Sequence, residues 1–320
     1  MRTVMKAALV AVGAGILSQP AFALEKVKVA TTFLGLWDTS IPSLCAQRGE
    51  FEKAGLDVEV TSTRGGSENL QAVIAGGMDI GYTPGLNAVL SAYAQGNKIK
   101  IISAQFLGMN DTYFYVPADS PIKTTADLKG KSVAFPRPGG SSEALLLAFK
   151  KESGLDFKPV ATGGLDATMT MAMTKMVDVG YSVPPSGLAE IDAGKIRVLF
   201  AGDDVKSQAN VTSRVVVATD DFLQKRRPVA VKFLEVLDKC IDWAYANKAE
   251  MAKSFAALAK IDPKIAEKTI DFFKRDTLVF GPLKGFDQAI QQAVDAKFLT
   301  KPLTQDEIKN LVDIVYTSKK

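Results

Sequence analysis

Two glycine-rich turns carry the residues of this sequence that are best suited to chemistry. One reads Arg64-Gly65-Gly66-Ser67 and the other reads RPGGSS at residues 137–142, and each stands where a β-type run gives way to a helical pattern. A helix that starts in such a turn offers free backbone N–H groups and the positive end of its dipole, which together bind anions. No Gly-Lys-Ser/Thr follows, so a nucleotide phosphate loop is not indicated. We expect a small-anion site, with Arg64 or Arg137 adding a charged contact.

The loops that follow the other strands complete the expected site, because ligands of open α/β sheets bind beyond the carboxyl ends of the strands. Phe33 and Trp37 would cover an apolar part of the ligand, although Trp37 could equally fill a core, and Ser141 or Ser142 could serve only as a helix cap. No metal or cofactor is expected. The expected ligand-binding residues are Phe33, Leu34, Trp37, Gly66, Ser67, Thr83, Asn87, Arg137, Gly140, Ser141, Ser142 and Val183.

The sequence contains no histidine, and this excludes most hydrolase chemistry. Ser–His and Cys–His nucleophile pairs cannot form, and the commonest general base and metal ligand is missing. The 320 residues include 39 basic and 35 acidic side chains, so the net charge of +4 is small and gives no basic surface of the kind that tracks nucleic acid. We therefore expect a binding protein that is not an enzyme and has no nucleic-acid partner.

The N-terminus has the order of a secretory signal peptide. Arg2 and Lys6 precede an apolar run over residues 7–17, and the small-x-small triplet AFA follows at 21–23. The apolar run is too short to cross a bilayer, which takes about 20 residues. We predict cleavage after Ala23 and a periplasmic, monomeric protein. Leu24 rather than cysteine follows the cut, so no lipid anchor is expected.

Cys45 and Cys240 are the two cysteines, and each lies in an apolar helical pattern. An oxidising compartment permits a disulfide, but two distant cysteines do not make a disulfide framework. Both a bridge and separate buried thiols stay open, and the pattern favours separate thiols.

Alternating strand and helix patterns predict the elements that position these loops. The segment MDIGYT at 78–83 recurs as VDVGYS at 177–182 within a matching order of elements, which predicts two lobes of one architecture. The expected strands are 27–32, 57–63, 78–82 and 99–104 in one series and 132–135, 157–162, 177–182 and 196–200 in the other. Between them lie helices at 41–54, 67–75 and 86–94, then at 142–151, 166–175 and 187–193.

The β-rich stretches 111–116 and 213–218 are expected to pass between the lobes. We expect lobe 1 to comprise 24–110 and 214–320 with the C-terminal helices, and lobe 2 to comprise 111–213. Those helices are predicted at 229–245, 248–258, 263–273, 285–296 and 305–316. Thr304 and Glu307 should form a capping box at the start of the last one.

The sequence resembles the periplasmic solute-binding proteins of ABC importers, in the branch that holds aliphatic sulfonate, taurine, nitrate and thiamine-precursor binders. The matching stretches are GEFEKAGLDV at 49–58, AGGMDIG at 75–81, SPIKTTADLKGK at 120–131 and RPGGSS at 137–142. The resemblance implies a type II fold, in which two similar α/β lobes joined by two crossing strands close on one ligand, with C-terminal helices. It also implies capture of a small organic anion, sulfonate- or carboxylate-like, for the transmembrane subunits of a permease and their ATPase.

Other functions share this scaffold. A ligand sensor for a membrane receptor would have the same lobes, and a neutral or cationic pyrimidine-type thiamine precursor is an alternative ligand. An enzyme, as in the related pyrimidine precursor synthases, is opposed by the missing histidine and the signal peptide. The effector domain of a cytoplasmic regulator is opposed by the export signal and by the lack of a DNA-binding helix pair before the first strand.

Overall fold

A computed structural model describes residues 23–319, so the predicted signal peptide lies, except for Ala23, outside the described residues. Within 23–319, no helix is both long and apolar enough to cross a membrane. The strands are β1 Glu25–Thr32, β2 Leu56–Thr63, β3 Ile80–Gly85, β4 Ile99–Leu107, β5 Tyr113–Pro117, β6 Ser132–Phe135, β7 Lys158–Ala161, β8 Gly180–Ser182, β9 Ile196–Ala201 and β10 Thr212–Thr219. The helices are α1 Trp37–Gln47, α2 Glu50–Lys53, α3 Gly66–Ile74, α4 Leu86–Ala94, α5 Ser141–Ser153, α6 Leu165–Met173, α7 Leu188–Asp192, α8 Asp220–Ala246, α9 Lys248–Ala259, α10 Pro263–Phe272, α11 Phe286–Asp295 and α12 Gln305–Leu311.

Two sheets with the same strand order organise the two lobes. The sheet of lobe 1 has the order β2-β1-β3-β10-β4, and β10 runs antiparallel to both of its neighbours. In lobe 2, β8-β5-β9 and β6-β7 are joined by Val179, whose N–H and C=O bond to Ser132 and Ala134 at 3.0 and 2.9 Å. This gives the order β7-β6-β8-β5-β9, with β5 antiparallel to β8 and β9. The expected fold of two similar α/β lobes is confirmed.

The repeated sequence segment occupies equivalent places in the two sheets. The Asp79 carboxylate accepts the N–H of Lys28 in β1 at 2.8 Å, and the Asp178 carboxylate accepts the N–H of Ser132 in β6 at 2.8 Å. The aspartate thus holds β3 against β1 in lobe 1 and β8 against β6 in lobe 2. The aspartates of the repeat therefore serve strand pairing.

The chain passes between the lobes at two short connections, 108–112 and 202–211. These lead directly into β5 and β10, which are buried central strands of their own sheets. Side chains of β10 alternate between two apolar clusters: Val215 and Val217 pack with α3, α4, α11 and α12, while Val216 and Ala218 face the side of α1, α8 and α9. The sheet of lobe 1 is therefore covered by helices on both faces.

Several helix boundaries differ from the predicted ones. The first helix begins at Trp37 instead of residue 41 and ends at Gln47, because Gly49 adopts a left-handed φ of 71°. α8 begins at Asp220, where the Thr219 hydroxyl accepts the N–H of Phe222, and it kinks at Arg226, two residues before Pro228. α12 ends at Leu311 instead of residue 316. Its predicted capping box of Thr304 and Glu307 is confirmed.

Cys45 and Cys240 form a disulfide, so the favoured prediction of separate thiols is wrong. The two residues are 195 positions apart, but α1 and α8 pack side by side and bring their Cα atoms to 6.1 Å. Both residues are buried in the apolar cluster of lobe 1. The bridge therefore ties the start of lobe 1 to its C-terminal helices.

Candidate functional site

A cavity of about 60 Å³ lies between the lobes. A single water molecule needs about 10–15 Å³ of such space, so the closed cavity has room for a small molecule of few heavy atoms. Lobe 1 and the crossing segments line it with Thr32, Phe33, Leu36, Asp38, Thr39, Gly65, Gly66, Ser67, Thr83, Gly85, Asp111 and Arg214. Lobe 2 lines it with Pro136, Arg137, Pro138, Gly140, Ser141, Ser142, Leu165, Tyr181 and Val183.

Five helices begin at this cavity without a capping side chain. The N-cap residues of α1, α3, α4 and α5 all line it, and so does the first residue of α6; these are Leu36, Gly65, Gly85, Gly140 and Leu165. Of the helices that begin away from the cavity, α8, α10 and α12 are capped by Thr219, Asp262 and Thr304, whereas α2, α7, α9 and α11 also lack a capping side chain. What sets the five helices apart is therefore that their starts meet at one cavity. The uncapped first turns leave backbone N–H groups and positive dipole ends directed at one space, an arrangement that favours an anion.

The turns of the two lobes touch across the cleft. The Ser67 hydroxyl donates to the carbonyl of Pro138 at 3.5 Å. A Cβ atom added at Gly85 of lobe 1 would lie 3.0 Å from the backbone nitrogen of Ser141 in lobe 2. This is closer than most Cβ atoms approach a backbone nitrogen, so the lobes are closed over the cavity at this point.

Arg137, and not Arg64, faces the cavity. The Arg64 side chain is 80% exposed and is bound to Glu68. Arg137 lines the cavity, its Cδ would lie 3.1 Å from a Cβ at Gly65, and its Nε is buried without a hydrogen-bond partner. Of the two arginines left open by the sequence, Arg137 is therefore the one placed to contact a ligand.

Two residues at the cavity hold a backbone conformation that side chains rarely adopt. Phe33 and Thr83 have φ values of 41° and 71°, in the left-handed region. The Thr83 hydroxyl donates to the carbonyl of Tyr82 at 2.6 Å and pairs with the Thr32 hydroxyl at 2.8 Å. Strained backbone of this kind clusters at ligand sites, where the surrounding contacts hold it in place.

A buried ion triad forms the part of the cavity next to the first crossing segment. Arg214 of β10 donates through Nη1 to Asp38 of α1 at 2.6 Å and through Nη2 to Asp111 of the segment 108–112. Both carboxylates are fully buried, and the guanidinium lies 4.2 Å from the centre of the Phe106 ring. The triad thus ties lobe 1 to one of the two connections between the lobes.

The triad is not balanced in charge or in hydrogen bonds. Asp38 Oδ1 and Asp111 Oδ1 are buried and have no partner. Burial raises the pKa of Asp111 above its usual range, and the attraction of Arg214 offsets this only in part. Burial alone would lower the pKa of Arg214, but the charges of Asp111 and Asp38 outweigh it and raise that pKa. Burial, and then the charge of Asp111, likewise raise the pKa of Tyr181 on the wall of lobe 2.

Nine of the twelve expected ligand-binding residues line the cavity; Trp37, Leu34 and Asn87 do not. Trp37 is fully buried against Phe255 and Tyr245, whose hydroxyl accepts its indole N–H at 3.2 Å, because the helix starts one turn earlier than predicted and turns this ring into the core. Leu34 is 70% exposed on the outer rim. Asn87 lies in the first turn of α4 and lines a separate small cavity beside Ser141.

Twelve residues line the cavity in addition to the expected ones. Among them are Tyr181 and three charged residues, Asp38, Asp111 and Arg214. The sequence carried one signal for them. Arg214 interrupts the apolar run of a strand that is buried on both faces, and a charged residue in such a position almost always has a partner. Which carboxylates it meets depends on the tertiary fold.

Comparison with known proteins shows the family. The family described as NMT1/THI5 like matches residues 39–251. A protein of Escherichia coli K12 named as an aliphatic sulfonates-binding protein is 28% identical over 270 residues, covering 81% of this chain and 79% of its own. A protein of Brucella abortus strain 2308 that is named as a binding protein is 27% identical over 230 residues, covering 71% and 69%.

Solved structures agree in fold. The periplasmic aliphatic sulphonate binding protein SsuA of Escherichia coli superposes with a TM-score of 0.75 at 20% identity, over 92% of this chain and 94% of that one. The alkanesulfonate-binding protein SsuA of Xanthomonas axonopodis pv. citri, bound to MOPS, gives 0.72 at 22% identity, over 85% and 90%. These relatives are named as binding proteins, not as enzymes. The solved structures show that the chain has the periplasmic binding protein fold. Because the family match covers more than half of the chain, the chain belongs to the NMT1/THI5-like family.

Proposed function

We propose that this protein is the ligand-capturing subunit of an ABC importer and that it binds a small organic anion, sulfonate- or carboxylate-like, between its lobes. The observation that carries the proposal is the convergence of five uncapped helix N-termini on one closed cavity, beside Arg137. Helix N-termini attract anions through their N–H groups and dipoles. The names of the sulfonate-binding relatives support this class of ligand.

Capture requires that the lobes open and close. We propose that lobe 1 (24–110 and 214–320) and lobe 2 (111–213) move as bodies about the connections 108–112 and 202–211. The contact between Gly85 and Ser141 supports this, because a ligand held there would touch both lobes at once. The closed monomer would then dock on the transmembrane subunits of a permease, with release driven by the ATPase.

Delivery of this kind takes place in the periplasm. We propose that export removes residues 1–23 and leaves Leu24 as the first residue of an unanchored protein. The periplasmic relatives of the same fold support this location.

A thermal-shift screen over sulfonates, carboxylates, nitrate and pyrimidines tests the ligand class. A single-site ligand at about 100 times its Kd raises the free energy of unfolding by about 2.7 kcal/mol, which shifts the melting temperature visibly. We expect stabilisation by sulfonates or carboxylates. Stabilisation by pyrimidines alone would contradict an anion-binding function and favour a thiamine precursor.

A charge inserted into the first turn of α5 tests where the anion lies. Ser142 is almost buried there and lines the cavity, so Ser142→Asp should repel the anion and weaken its binding at least about tenfold, equivalent to about 1.4 kcal/mol. Ala249→Asp is the matched control, because it adds the same charge at the second residue of α9, away from the cavity. Equal affinities of the two variants would place the anion elsewhere.

A further inference from the structure

The last turn of α5, in lobe 2, holds the second connection between the lobes. The carboxylate of Glu152 accepts the backbone N–H groups of Lys206 and Ser207 at 3.1 and 2.9 Å. These residues begin a short helical turn, Lys206–Gln208, whose own N-cap residue makes no side-chain bond. Glu152 therefore supplies the missing cap and ties the connection 202–211 to lobe 2.

The helix α11, in lobe 1, holds the same short turn. The side-chain amide of Gln288 donates to the carbonyl of Ser207 at 2.7 Å. The side-chain amide of Gln208 donates to the amide oxygen of Gln292 at 3.0 Å. One helix from each lobe is thus bonded to residues 206–208.

An ion pair also joins these two helices directly. Lys151, next to Glu152 in α5, donates to the carboxylate of Asp295 in α11 at 2.5 Å. Gln291 donates to the other carboxylate oxygen of Asp295 at 2.9 Å, which fixes this carboxylate on α11. The ion pair therefore closes a triangle of α5, α11 and the connection between the lobes.

We propose, on the basis of the lobe closure described above, that this triangle is a hinge clamp that favours the closed arrangement. The hinge clamp consists of the bonds of Glu152, Gln288 and Gln292 to residues 206–208, together with the ion pair of Lys151 and Asp295. When the lobes separate about 202–211, each helix keeps its bonds to the connection, but α5 moves away from α11 and the ion pair breaks. Lys151 and Asp295 are thus positioning residues that act on closure.

The helix α5 links the hinge clamp to the ligand cavity. Its 13 residues span about 20 Å, and its first two residues, Ser141 and Ser142, line the cavity. One rigid element therefore carries a wall of the ligand site at its first turn and the clamp at its last. Since the clamp is made of protein groups, it acts with and without ligand, and it changes the apparent affinity through the closed fraction.

Spin labels on the strands furthest from the connections measure closure without any ligand. β2 and β7 lie at the ends of the two sheets that are remote from the connections, and Glu59 and Lys158 are exposed on them. In the mature protein with Glu59→Cys/Lys158→Cys, the new thiols can be labelled while Cys45 and Cys240 stay bridged. Pulsed electron paramagnetic resonance of the ligand-free protein should give two label distances, of which the shorter belongs to the closed arrangement.

Charge reversal at the ion pair tests the clamp in this labelled protein. In Lys151→Glu and in Asp295→Lys, two like charges replace the pair, so the ratio of closed to open protein should fall about fivefold. The double variant Lys151→Glu/Asp295→Lys should restore the ratio to within about twofold of the wild type. Lys248→Glu is the matched control, because Lys248 and Asp271 also pair at 2.5 Å but both belong to lobe 1, and it should leave the ratio unchanged.

Three results would overturn the hinge clamp: a ligand-free wild type without a closed population, an unchanged ratio in both single variants, or no recovery in the double variant. The affinity for propane-1-sulfonate, measured by calorimetry, should fall in step with the closed fraction. Failure of this sulfonate and of every acid in the thermal-shift screen to bind would contradict the proposed function, whereas the label distances would still decide the clamp.

Discussion

Removal of Arg214 should be among the most destabilising single changes in this protein. In Arg214→Met, Asp38 and Asp111 lose the guanidinium that pairs with both of them while they remain fully buried. Breaking a buried ion pair by removing one partner costs about 3–5 kcal/mol, because the remaining charge is left uncompensated. Arg227 is the matched control: it also makes a two-pronged contact, to Asp313 at 2.7 and 2.6 Å, but its side chain is 46% exposed. Arg227→Met should cost about 1 kcal/mol or less.

Urea unfolding of both variants measures this difference as the free energy of unfolding, and pH adds a second test. Burial already raises the pKa of Asp111, whose charged neighbours are Asp38 and Arg214, with Tyr181 opposite. Without Arg214 the folded state binds more protons than the unfolded state, so the variant should gain stability as the pH is lowered from about 7 to about 5. Equal losses in the two variants, or a loss in Arg214→Met that does not shrink at lower pH, would refute the reasoning.

Two further variants test lobe closure and the disulfide, and N-terminal sequencing tests export. Gly85→Ala places a Cβ atom 3.0 Å from the Ser141 nitrogen and so hinders closure of the lobes. Ligand affinity measured by calorimetry should fall about tenfold, with little change in the stability of the ligand-free protein. An unchanged affinity would mean that the lobes do not close at this contact. The double variant Cys45→Ala/Cys240→Ala should lose about 2–4 kcal/mol of unfolding free energy, as should the reduced wild type; two free thiols in the unreduced protein would disprove the bridge. N-terminal sequencing of the periplasmic protein should begin at Leu24, and retention of Met1 would contradict export.

Much of the fold is predictable because it depends on local patterns. The bounds predicted for α4 and β6, 86–94 and 132–135, agree with the structure residue for residue. The repeat of MDIGYT as VDVGYS indicated two related lobes, and the lobe sheets indeed share one strand order. The turns at Gly65 and Gly140 are predictable because a glycine-rich turn before a helical pattern indicates a helix start with accessible backbone N–H groups.

The features that the sequence did not predict correctly depend on which helices and strands are neighbours in space. Trp37 was expected in a loop, but a helix that starts one turn earlier places its ring among α8 and α9. The pairing of Cys45 with Cys240 requires the packing of α1 on α8. The partners of Arg214 come from α1 and from the connection 108–112, far away in the sequence, so composition and periodicity give no indication of the triad.

The central claim is that the anion binds between the lobes at the starts of the helices. A crystal structure tests this most directly if the protein is in complex with the acid that raises its melting temperature most in the thermal-shift screen. We predict its anionic group within hydrogen-bond distance of the backbone N–H groups of Ser141 or Ser142 and of the Arg137 guanidinium, inside the cavity between the lobes. A ligand found instead in the outer groove between α5 and α11, or one whose anionic group faces Asp38 and Asp111, would contradict the account.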